Sequence, residues 1–127
     1  MLHVVESKKS LERVAADLEQ AVARHKFGIL GMHDLKAKMA EKGVPFAREC
    51  RVYDVCNPQQ AQKVLERTIE ISTALPCRIS LYEEAGKTRL ATIKPTAMIA
   101  LYATPELTAV AEEVEATLGA IMADAAR

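Results

Sequence analysis

Tryptophan is absent from this chain of 127 residues, and aromatic side chains make up only 4% of it. With so few rings, stacking platforms for single-stranded nucleic acid are not expected. An excess of charge is missing too: 17 Lys and Arg offset 17 Asp and Glu, for a formal net charge of zero. A neutral chain exerts no long-range pull on a polyanion, so nucleic acid is not an expected partner. No apolar run approaches the roughly 18 to 20 residues of a membrane span. Met1 to Glu6 lacks the basic start and apolar stretch of a signal peptide. The expectation is a cytoplasmic protein with no membrane contact.

The usual chemical signatures are also missing. There are five glycines, and none form a phosphate-binding loop. No Cys-x-x-Cys pair, Gly-x-Ser-x-Gly elbow or His-Glu-x-x-His motif occurs. Three cysteines are an odd number, which excludes a complete disulfide framework. In a reducing compartment they are expected to remain thiols. No motif names a reaction, a metal or a cofactor.

What is present is periodicity. Ser10 can cap a helix whose apolar residues fall at Leu11, Val14, Ala15, Leu18, Ala21 and Val22, one stripe at helical spacing. A second stripe, Leu107, Val110, Ala111, Val114, Leu118 and Ile121, follows Thr104 and Pro105. The two longest helices are predicted over about residues 10 to 26, stopped by Gly28, and 105 to 124. Strands are predicted at 2–5, 27–32 and 48–55. Residues 77–83 alternate in polarity and turn at Ala85-Gly86-Lys87 into a partner strand over 88–93, the clearest hairpin in the chain. Asp34 can cap a short helix that Gly43 ends. Asn57 followed by Pro58 opens another, with Ala61, Val64, Leu65 and Ile69 as its stripe and Pro76 as its stop. Ala97 to Tyr102 is compatible with helix or strand.

This order predicts a single α+β domain over residues 1–127, with a mixed or antiparallel sheet and helices on one face. A one-layered sheet leaves a face or an edge to cover, and a homodimer is one way to cover it.

Three segments carry a resemblance. They are Phe27-Gly28-Ile29-Leu30 running into Asp34-Leu35-Lys36; Cys56-Asn57-Pro58 with Ala61 and Leu65; and Leu75-Pro76-Cys77-Arg78 with Tyr82-Glu83 and Pro95. In this order they resemble the domain of unknown function 302 family. The resemblance implies a curved, mostly antiparallel sheet with helices packed on one face, similar to the TATA-box-binding-protein-like architecture. It names no reaction. His33 stands where the family pattern leads one to expect an acidic or polar residue.

Cys56 and Cys77 are the leading candidates for chemistry. Cys56 directly precedes a helix start, where the dipole and free N–H groups favour a thiolate. Cys77 follows Pro76 at the start of a strand. Together they could form a reversible disulfide, carry sulfur or bind a soft metal. They could equally be small packing residues. Cys50 is expected in the core with Val52. Asp34 and Lys36, with His33, could form a polar binding site, against the simpler roles of helix cap and solvated side chain. Arg78 and Lys94 could hold an anion. His25 suits a helix C-terminus, and His3 is expected to be solvated. Two functional readings result. One is a cytoplasmic binding or accessory module for a small molecule, metal or protein. The alternative is a thiol-based redox or sulfur-carrier protein using Cys56 and Cys77.

Overall fold

Ser10 begins the first helix as its sequence suggests: its hydroxyl oxygen accepts a hydrogen bond from the Arg13 N–H at 3.2 Å. The computed structural model describes residues 1–102 and 104–127. Helix α1 covers Leu11–Arg24, and every residue of its predicted stripe is buried. It ends without help from Gly28. Lys26 takes the left-handed conformation (φ 63°), and the Phe27 N–H reaches back to the Val22 carbonyl at 3.0 Å. The stop is therefore set by hydrogen bonding across the last turn, and Gly28 belongs to the following strand.

The strands are β1 (Leu2–Ser7), β2 (Gly28–Asp34), β3 (Cys50–Cys56), β4 (Cys77–Glu84) and β5 (Lys87–Ile93). They form one antiparallel sheet in the order β1-β5-β4-β3-β2. The β4–β5 hairpin turns through Ala85 (φ 54°) and Gly86 (φ 76°). Two consecutive positive φ values match the twist of antiparallel strands. A bulge between Ile29 and Gly31 interrupts the β2–β3 register.

Four further helices complete the chain: α2 (Leu35–Glu41), α3 (Pro58–Arg67), α4 (Pro95–Ile99) and α5 (Thr108–Ala126). Ile69–Ala74, Ala100–Tyr102 and Pro105–Leu107 are short 3-10 turns. Residues 97–102 are thus helical. The last α-helix starts three residues later than predicted, because Thr104 makes no side-chain cap and Pro105–Leu107 tightens into a 3-10 turn.

Strand geometry sends alternate side chains to opposite faces. Tyr53 and Val55 of β3, Ile79 and Leu81 of β4 and Leu90 of β5 point to one face and are buried there. They pack with Leu18 and Val22 of α1 and Leu118, Ile121 and Met122 of α5 in a single core cluster. His25 ties the two long helices together, its Nε2 2.8 Å from the Asp124 Oδ2. The antiparallel sheet, with helices on one face, is the fold predicted from sequence, and it is not closed into a barrel. Cys50 departs from its expected core position. It lies opposite Tyr82 on the uncovered face, half-buried, because the core-facing positions of β3 fall on odd-numbered residues.

Candidate functional site

At one end of the sheet, β3 closes with Cys56 and β4 opens with Cys77. Val55 and Cys77 are register partners, so the two thiols sit at adjacent positions of neighbouring strands. The chain between them does not return directly. It passes through α3 and the 69–74 turn, which fold over the strand ends as a roof. The α4 segment and the first turns of α5 close the other side. Beneath them lies a partly open cavity of about 70 Å³. Phe27, Val55 and Cys77 line it from the core. Ala61 and Val64 of α3, Ile71, Ala74 and Leu75, and Met98, Ile99 and Tyr102 line it from the roof. Val110, Ala111 and Val114 of α5 complete the wall, and Cys56 sits at the margin.

The lining is nearly all apolar, and among the described residues no charged side chain contributes to it. Its few polar groups are largely occupied elsewhere. The Asn57 Oδ1 caps α3, accepting from the Gln59 and Gln60 N–H groups at 3.1 and 3.2 Å. The Tyr102 hydroxyl bonds the Thr73 Oγ1 at 2.6 Å. The Gln60 Nε2 donates to the Glu113 Oε1 at 2.8 Å, while its Oε1 is buried without a partner among the described residues.

These facts settle the electrostatics of the cysteines. Burial pushes the Cys56 thiol up from its ordinary value. Burial, with a smaller contribution from Cys56, pushes Cys77 up to about 11. Sequence position suggested the opposite for Cys56. The difference comes from desolvation, which disfavours the charged thiolate; the Gln59 and Gln60 N–H groups at the start of α3 are in addition already taken by the Asn57 side chain. Both groups are therefore thiols at neutral pH.

The other candidate residues lie elsewhere. Asp34 caps α2, its Oδ1 accepting from the Ala37 N–H at 3.0 Å. Lys36 pairs with Glu49 at 3.1 Å. Asp34 is opposite Arg51, at the far end of β3 from Cys56, so neither residue approaches the cavity. Arg78 points to the uncovered sheet face, where its Nε lies 3.3 Å from the Asp54 Oδ1. The His33 Nε2 meets the Asp54 Oδ2 at 2.8 Å. His33 and Arg78 are thus joined through Asp54, a residue that no sequence motif marked. Among the described residues, no group of three or more His, Cys, Asp or Glu is arranged to hold a metal ion. None of the helices described is long and apolar enough to cross a membrane.

Fold and cavity together define an open-faced α+β protein with an apolar hollow beneath the α3 roof. The chain belongs to the family described as Domain of unknown function DUF302, which matches residues 3–125. It is similar to the crystal structure of the uncharacterized conserved protein DUF302 from Bacillus stearothermophilus. The TM-score is 0.93 at 29% sequence identity, covering 99% of this chain and 98% of that one. No curated protein matches the chain.

Proposed function

We propose that this protein is a cytoplasmic, single-domain binding module that holds a small, uncharged apolar molecule in the cavity beside Cys56 and Cys77, and that it works as a homodimer. The observation that carries this reading is the unfinished packing of the roof. Helix α3 has an apolar stripe at Ala61, Val64 and Leu65, yet none of its residues is buried. A helix stays on a protein because its apolar stripe is covered. Here Ala61 and Val64, both half-buried, face a cavity of about 70 Å³, and an apolar guest would complete the core that the chain leaves open. A charged guest would meet no counter-charge and would lose its hydration without compensation. Three free cysteines suit a reducing compartment, and zero net charge argues against nucleic acid as partner.

The redox or sulfur-carrier alternative has less support. Cys56 and Cys77 share the cavity, but burial holds both as thiols, and the thiolate is the nucleophile.

Titration with toluene and, separately, with benzoate tests the binding reading, followed by methyl NMR of Ala61, Val64, Val110 and Val114. Toluene should shift these signals saturably, and benzoate should not. Ala111→Leu, which fills the cavity from α5, should abolish the response while keeping the fold. Shifts that are absent, or equal for both compounds, would overturn the reading.

A further inference from the structure

The sheet face away from the helices carries two apolar features at opposite sides. Along the β1–β5 edge, Leu2, Val4 and Ile93 are 58%, 47% and 45% exposed. Val4 pairs with Ala91, Ala91 with Ser80 and Ser80 with Val52. This row of small or apolar side chains crosses the face from the edge to β3. On the β3 side, the loop between α2 and β3 lifts Val44 and Phe46 into solvent, 50% and 39% exposed. Phe46 stands beside Cys50 and Tyr82 at the rim of a shallow hollow. The face therefore has a projecting apolar group on one side and an apolar strip on the other, with Ser80 of the central strand between them.

We propose that this face is the interface for a second copy of the chain, in a two-fold arrangement that seats Phe46 of each copy on the Val4 and Ile93 strip of the other. The proposal rests on the homodimer reading above and gives that dimer a location. A two-fold axis passing over Ser80 brings each side of one face above the opposite side of its mate, so both features are used twice. Charge does not oppose the contact. The acidic groups on this face are paired within the chain: Glu6 with Lys87 and Arg89 at 3.1 and 3.2 Å, Glu84 with Arg89 and Arg48 at 3.6 and 3.9 Å, and Asp54 with His33 and Arg78. Small residues at Ala91 and Ser80 let two backbones approach. Five strands about 4.8 Å apart and about 20 Å long give a face on the order of 480 Å². Side-chain relief and the projecting loop extend that area toward the ~800 Å² per partner of a standard interface.

Sedimentation equilibrium of the full chain from 1 to 100 μM tests the proposal, with circular dichroism to confirm that each variant is folded. The wild type should dimerise in this range. Ser80→Arg sets like charges face to face at the axis, and it should raise the dissociation constant by about 100-fold or more. Val4→Glu and Phe46→Lys should each weaken the dimer by about 10-fold, and the double variant should recover most of the loss, because the new charges meet across the axis. A wild type that is monomeric at 100 μM would overturn the homodimer reading and this proposal together. A dimer that all of these variants leave intact would overturn the location alone.

Discussion

Raising the pH separates a buried packing thiol from a working one, and Cys77 is the residue to follow. Its side chain is buried in the core cluster with Phe27 and Val55, and its pKa is pushed up to about 11. An ordinary cysteine titrates near 8.5, so about 3% of it is thiolate at pH 7. For Cys77 the fraction is about 0.01%, a difference of about 300-fold before restricted access adds to it. Iodoacetamide labelling read residue by residue by mass spectrometry should show this. The Cys77 rate should climb about tenfold per pH unit to beyond pH 10, whereas a peptide thiol levels off near pH 9. The same shift bears on stability. The folded pKa lies above the unfolded one, so the native state holds the proton more tightly. The stabilisation is complete below about pH 8.5 and is lost as pH rises through about 11, amounting to about 3 kcal/mol. Cys77→Ala should flatten that part of the melting curve against pH. A labelling rate at pH 7 within tenfold of free cysteine, or a plateau below pH 9, would refute the burial argument and restore the thiol-chemistry reading.

Three other outcomes test the frame around the cavity. Leu18→Ala removes a fully buried side chain facing the sheet and should cost 2 to 5 kcal/mol in urea unfolding, roughly the range for such cavities. Ser10→Ala deletes the α1 cap and should cost about 1 kcal/mol; no change would show that the cap is replaced by water. The Asp124 carboxyl is held below the usual aspartate range, first by its hydrogen bond from His25 and then by Arg127. Its contribution to holding α1 on α5 is present above the ordinary aspartate pKa and is lost as pH falls through the depressed folded value. Carboxyl NMR should show that low midpoint in the wild type and a return toward the ordinary value in His25→Ala.

The fold was legible because its signals are local. The stripe from Leu11 to Val22 buries as written, and Ser10, Asp34 and Asn57 each cap the helix that the sequence assigns to them. The β4–β5 hairpin follows from alternation plus one turn. Gly28 misled because a helix can end on hydrogen bonds alone: Lys26 accepts the left-handed conformation, about 1 kcal/mol uphill for a side chain, and the Phe27 N–H repays it. Cys50 misled because the strand begins at residue 50, at the first of the even-numbered positions that face away from the helices.

The candidate site was legible only where chain neighbours define it. Cys56 and Cys77 flank one excursion of the chain, and antiparallel pairing of Val55 with Cys77 returns them to the same strand ends. Asp34, Lys36 and Arg78 carried plausible chemistry, but which end and which face each one occupies depends on the register of β2 on β3 and β3 on β4. Asp54 shows the same dependence from the other side. Nothing next to it in sequence signals a role, and it acquires His33 and Arg78 as partners because three strands lie side by side. The electrostatic error at Cys56 has a more general cause. A helix N-terminus attracts negative charge only through N–H groups that remain free, and the residue that frees or occupies them is the cap. Asn57 occupies those of Gln59 and Gln60, and desolvation disfavours the charged thiolate, so the position that looked activating in sequence is not activating in the fold. The thiol then answers to burial, which raises its pKa. The same cap makes the cavity wall at α3 poor in exposed donors.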